Sequence, residues 1–131
     1  MITVLDASAA VAVALNKSIN EETILILKNS EYIIAPDIFV SEVTNTFWKY
    51  HQFDDLPVLE CEFLLNNTLK LVDEIIESKT LYKEAFAFSC QVGHSIYDIL
   101  YLITARRHNA LLLSLDVKLN KIAKKHSIKT I

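Results

Sequence analysis

Ile2-Thr3-Val4-Leu5-Asp6-Ala7-Ser8-Ala9 opens the chain with four β-prone residues, an acid, and then a run of small and apolar residues that reaches Leu15. The first four read as a buried strand that ends at Asp6. Ser8 is the expected cap of a helix over Ala9–Leu15. The remaining sequence continues this alternation of short strands and helices.

Asn20 can cap a second helix, with Glu21 and Glu22 in its first turn and Ile24, Leu25 and Leu27 as its apolar face. Tyr32–Ala35 reads as a second short strand, stopped by Pro36. Asp37 then caps a longer helix to about Tyr50, in which Phe39, Val43, Phe47 and Tyr50 recur as one core stripe. Pro57 fits the first turn of the next helix, to about Asn67. Leu71-Val72 is a brief strand or extended link. Leu81–Val92 is helical, and Gly93, the only glycine, suits a left-handed stop. Ile96–Arg107 is apolar nearly all round, which predicts a central buried helix. Leu111–Leu115 is a strand ending at Asp116, Lys118–Lys125 a basic helix, and Ser127–Ile131 a last strand. Short strands alternating with helices predict one α/β domain over 1–131, with a mostly parallel sheet covered on both faces.

The composition agrees. The chain has 131 residues, 52% hydrophobic and 22% charged, with one Gly and two Pro, which excludes disorder, collagen-like sequence and a turn-rich all-β sandwich. Cys61 and Cys90 lack any CxxC or Cys/His metal spacing and read as free thiols. Ala9–Leu15 resembles the apolar part of a signal peptide, but no Lys or Arg precedes it and Asp6 interrupts it. No run approaches the ~18 apolar residues of a membrane span, so the expectation is a cytoplasmic protein. The net charge of −3 hides an asymmetry: residues 1–103 carry 6 Lys/Arg against 15 Asp/Glu, whereas residues 104–131 carry 7 against Asp116 alone. That basic end is either a solvated helix face or a rim for a polyanion; charge does not choose between them.

Four carboxylates bear on chemistry. Asp6 and Asp116 each follow a strand directly, and in open α/β sheets active sites gather beyond the carboxyl ends of strands. Each alone also reads as an ordinary helix cap. Asp98 sits near the start of an almost wholly apolar helix, where an isolated carboxylate costs several kcal/mol unless paired or neutralised. Glu42 lies on a helix whose other face is aromatic, with Asn45 three residues on. Such acids in one pocket would either raise each other's pKa or hold a hard divalent cation. With oxygen donors and no His or Cys, the cation would be Mg²⁺ or Mn²⁺, not Zn²⁺.

Val4-Leu5-Asp6-Ala7-Ser8, Glu42-Val43-Thr44-Asn45, Tyr97-Asp98-Ile99-Leu100-Tyr101-Leu102 and Leu113-Ser114-Leu115-Asp116, in that order, resemble the PIN-domain ribonucleases, and the small size looks most like the VapC-type toxins of toxin–antitoxin pairs. The resemblance spans essentially the whole chain. It implies a three-layer PIN-like fold and a Mg²⁺-dependent endoribonuclease, with Mn²⁺ as substitute. Asp6, Glu42, Asp98 and Asp116 match the family's catalytic, metal-holding acids. Ser8, Asn45 and Ser114 match residues that orient ligands and metal-bound waters. It also implies a homodimer, an RNA substrate and a cognate antitoxin whose peptide fills the groove. Some relatives carry a further acid soon after the last Asp; here Lys118, Leu119 and Asn120 follow, which puts a second ion in doubt.

On this reading Asp6 and Asp98 hold the ion directly, while Glu42 and Asp116 complete its shell through waters or act as base. Lys118, Lys121 and Lys124 would neutralise RNA phosphates. His94 reads as a surface or cap residue, Tyr97 and Tyr101 as core, and Trp48 with Phe47 as packing in the core or at a dimer interface. An aspartyl-nucleophile phosphatase would need a second Asp where Ser8 stands, and a receiver domain would need paired acids. The alternative from another class is a catalytically silent PIN-like module that binds protein or RNA.

Overall fold

The computed structural model describes residues 1–17 and 19–131. Four strands, β1 (Ile2–Leu5), β2 (Tyr32–Pro36), β3 (Glu74–Ile76) and β4 (Leu111–Leu113), form one parallel sheet in the order β3-β2-β1-β4. Among the described residues seven helices flank it: α1 (Ala7–Ala14), α2 (Glu21–Asn29), α3 (Ile38–Asp54), α4 (Val58–Leu69), α5 (Tyr82–Val92), α6 (Ile96–Arg107) and α7 (Val117–Lys125). The expected mixed α/β architecture is therefore present. None of these helices is long and apolar enough to cross a membrane.

The strand order positions the site. The chain steps from β1 to β2 to β3 in one direction, then returns past β1 to place β4 on its other side. Connections leaving β1 and β4 therefore diverge, and it is beyond the carboxyl ends of such strands that α/β sheets form their ligand crevice. Leu5 is in register with Leu113, and the Asp6 amide donates to the Leu113 carbonyl at 3.1 Å. Asp6 and Ser114 are thus set side by side.

α6 explains why its sequence lacks a polar face. Ile99 to Ala105 are all buried, and the helix packs against β1, β2 and β4. Phe39, Val43 and Phe47 of α3 are buried as their spacing predicts, and α3 packs on α1 and α4. Both cysteines are free, Cys61 buried and Cys90 exposed.

Several expectations need correction. Asp6, not Ser8, caps α1, and the helix starts at Ala7. Leu25 faces solvent, whereas Ile26 and Leu27 pack against the core. Asp37 makes no cap bond; its carboxylate instead accepts from the Ser78 amide at 2.8 Å and from the Ser78 hydroxyl, pinning the start of α3 to the turn after β3. α3 continues past Tyr50 to Asp54. Of the two readings of Leu71-Val72, the link holds and the strand does not; both pack against the core just before β3, whose Glu74 start masks it in the sequence. β4 ends at Leu113, two residues early, because Ser114 turns toward Asp6. The last segment forms only an isolated bridge, Thr130 with Leu112, since Ser127 leaves α7 with φ of 59°.

Gly93 ends α5 at φ 68°, with nothing within 4 Å of where a Cβ would stand. Substitution there is limited by backbone conformation and not by space. Gly93→Ala is expected to lower stability by about 1 kcal/mol in urea unfolding, and Gly93→Asn by less, because Asn tolerates the left-handed region.

Candidate active site

The crevice beyond β1 and β4 is built around Asp6. Its carboxylate is almost wholly buried, and both of its oxygens accept hydrogen bonds. Oδ1 accepts from the Ser8 hydroxyl at 2.5 Å and the Ala9 amide at 3.1 Å, and Oδ2 accepts from the Ser114 hydroxyl at 2.5 Å. The same hydroxyls tie β4's extension to this point: Ser114 Oγ accepts from the Asp116 amide at 3.0 Å, and Ser8 Oγ from the Leu115 amide at 3.2 Å. A Ser two residues after the first acid and a Ser two before the last therefore hold both acids in one frame.

Asp116 caps α7, with Oδ1 accepting from the Lys118 and Leu119 amides at 2.9 and 3.1 Å. Glu42, half-buried one turn into α3, accepts the Tyr101 hydroxyl on Oε1 at 2.7 Å. Asp98, in the first turn of α6, is bonded through Oδ2 to His94 Nε2 at 2.8 Å. Glu42, Asp98 and Asp116 thus share a pattern: one oxygen engages a protein donor, and among the described residues the other makes no hydrogen bond.

Electrostatics join the four. Burial pushes the Asp6 pKa up against the pull of its Ser114, Ser8 and Ala9 donors, and the Asp116 charge pushes the same way. Burial also raises Glu42, opposed by the Tyr101 bond and reinforced by the charges of Asp6 and Asp98. Asp6 thus feels Asp116, and Glu42 feels Asp6 and Asp98. Among the described residues no three His, Cys, Asp or Glu side chains close on a single point as an ion cage. The set is an all-oxygen, mutually repelling cluster with unengaged oxygens. That chemistry fits Mg²⁺, which keeps several waters and takes only one or two carboxylates directly.

The other expected site residues fall out as follows. Ser8 and Ser114 touch the acids directly. Asn45 is exposed on α3 and, among the described residues, bonds none of the acids. Asn120 is tied to the Ser114 carbonyl at 2.9 Å and to the Thr130 hydroxyl at 2.7 Å, so its amide braces β4. Lys118, Lys121 and Lys124 are exposed on α7, whose buried side is Leu119 and Ala123. Two residues given bland readings belong here. His94 is not a surface group: its side chain is 10% exposed and grips Asp98. Tyr101 is core, as expected, but its hydroxyl reaches Glu42. For His94 the i,i+4 spacing from Asp98 was the available signal; for Tyr101, whose partner lies 59 residues away, there was none. Tyr97, by contrast, is exposed and not core.

Raised pKa values on Asp6 and Glu42 mean that folding favours their protonated forms. Their contribution is fully present below the unfolded-state pKa and is lost as pH rises through the folded-state values. Metal-free protein should therefore show Tm falling from mildly acidic to neutral pH. Glu42→Gln, which keeps an acceptor for Tyr101, should flatten that fall and raise the neutral-pH Tm by a few degrees. Thermal scans across pH check both.

A PIN-domain family model matches residues 3–125. Among curated proteins no sequence matches the chain. Solved structures share the fold. PAE2754 from Pyrobaculum aerophilum superposes with a TM-score of 0.72 at 21% identity, over 91% of this chain and 77% of that one. VapBC2 from Rickettsia felis, bound to a promoter DNA fragment, gives 0.67 at 19%, over 100% and 98%. A toxin–antitoxin complex from Klebsiella pneumoniae gives 0.63 at 20%, over 88% of each chain. With the motif order, the strand order and the acidic crevice in agreement with a model covering nearly the whole sequence, the chain belongs to the PIN-domain family.

Proposed function

We propose that this protein is a divalent-metal-dependent endoribonuclease that hydrolyses RNA phosphodiester bonds, and that it is the toxin of a toxin–antitoxin pair acting in the cytoplasm. The observation that carries the reading is the electrostatic coupling of Asp6 to Asp116 and of Glu42 to both Asp6 and Asp98, beside the divergence of β1 and β4. Family membership supports nuclease chemistry, and likeness to toxin–antitoxin complexes supports the biological setting.

Bound Mg²⁺, or Mn²⁺ in its place, would lower the pKa of a water and offset charge developing on the phosphate. Asp6 and Asp98 would hold the ion, with Glu42 and Asp116 completing its surroundings. Ser8 and Ser114 keep the Asp6 carboxylate from rotating. Glu42, with its raised pKa, is suited to take the proton of the attacking water as the new P–O bond forms and the bond to the leaving oxygen breaks. Lys118, Lys121 and Lys124, on the helix that Asp116 caps, would neutralise flanking phosphates.

Exposed apolar side chains on α3 and α4, among them Trp48, Val58, Leu59 and Phe63, suit a protein partner: the cognate antitoxin or the second subunit of a homodimer. The lack of a closed three-ligand cage among the described residues favours a second reading, a catalytically silent binding module. Metal titration separates the two, because a silent scaffold has no Mg²⁺ or Mn²⁺ affinity.

Asp98→Asn is expected to abolish RNA cleavage while the metal-free fold persists or becomes more stable; normal cleavage at saturating Mn²⁺ would remove Asp98 from the ion's ligands. Lys121→Glu/Lys124→Glu should weaken RNA binding evenly across sequences. It should also reduce the log–log salt slope by roughly 0.7 for each phosphate that the variant no longer neutralises. An unchanged slope would return α7 to plain solvated surface.

A further inference from the structure

Tyr101 stands where the β1–α1 turn, α3 and α6 meet. Its side chain is 1% exposed, and its hydroxyl donates to Glu42 Oε1 at 2.7 Å across 59 residues of sequence. The Asp6 charge, at the end of β1, also acts on this hydroxyl. Tyr101 also lies three positions after Asp98, on a neighbouring turn of α6. One buried hydroxyl thus touches or adjoins the segments carrying three of the four acids.

Packing accounts for the ring and not for the hydroxyl. A Phe would fill the same volume without burying a polar group that needs a partner. The partner is a half-buried Glu with three rotatable bonds, repelled by Asp6 and Asp98 and free to swing toward solvent unless held. A tyrosine hydroxyl is protonated at neutral pH in any case, so the group is a donor there.

We propose that Tyr101 is a positioning residue for the metal-dependent reaction: its hydroxyl holds the Glu42 carboxylate in the crevice by Oε1 and leaves Oε2 for the ion or its water. The proposal rests on the metal-dependent reading above. It assigns the same kind of role on α6 that Ser8 and Ser114 have beside Asp6, and it gives the helix's buried aromatic residue a part in the chemistry.

The test is Mn²⁺ affinity, read by electron paramagnetic resonance, for wild type, Tyr101→Phe, Glu42→Gln and the double variant. Tyr101→Phe is expected to weaken Mn²⁺ binding about tenfold, in the range usual for residues that orient a metal ligand. It should also lower kcat for RNA cleavage with KM unchanged. In the Glu42→Gln background the tyrosine substitution should add almost nothing. Wild-type binding retained in Tyr101→Phe, or the same loss in both backgrounds, overturns the proposal. Should Tyr101→Phe fail to fold, the wild-type protein still decides. Mg²⁺ saturation should shift the tyrosine ultraviolet band as the ion draws on Glu42, and Glu42→Gln should abolish that shift; no shift overturns the proposal. Wild type that binds no Mn²⁺ defeats the metal reading itself, whereas wild type that binds alongside an unaffected Tyr101→Phe defeats only the role of Tyr101.

Discussion

A carboxylate sealed at the end of the first strand governs the arrangement of this molecule. Asp6 is buried, and its charge is balanced by three donors: Ser8 and Ala9 from the helix it caps, and Ser114 from the neighbouring strand. Removing any one would leave a buried acceptor short of a partner, at a cost of about 1–3 kcal/mol. The three bonds also act mechanically. They dock the end of β4 on the start of α1 and so fix the crevice in which the other acids stand.

The remaining acids are held in a similar manner from different elements. Asp116 faces the first turn of α7, Asp98 takes its bond from His94 at the left-handed end of α5, and Glu42 takes its bond from Tyr101. Each restraint opposes repulsion that would otherwise separate like charges. The fold therefore maintains an acidic cluster that costs stability at neutral pH. Stored repulsion of this kind suits a site whose working partner is a cation.

Much of this was legible in the sequence because it depends on short-range patterning. The apolar-all-round stretch Ile96–Arg107 is observed as a helix with those bounds, and the Gly93 stop is where a lone glycine predicts it. The spacing of Phe39, Val43 and Phe47 marked the buried side of α3. What escaped depends on contacts distant in sequence. A three-residue edge strand beginning with Glu74 carries no alternation to read. Asp37 looked like a cap until Ser78 arrived from 41 residues away. Ser8 does not cap α1 because its hydroxyl donates to Asp6 and accepts from the Leu115 amide. Tyr101 looked like plain core because periodicity reports where a ring lies, not where its hydroxyl ends.

The most direct measurement is an anomalous-scattering map from crystals soaked in Mn²⁺. The account predicts a single strong peak in the crevice, with oxygens of Asp6 and Asp98 nearest and Glu42 or Asp116 within one water of it. A peak on another surface, or none at millimolar Mn²⁺ with the crevice open to solvent, would contradict it.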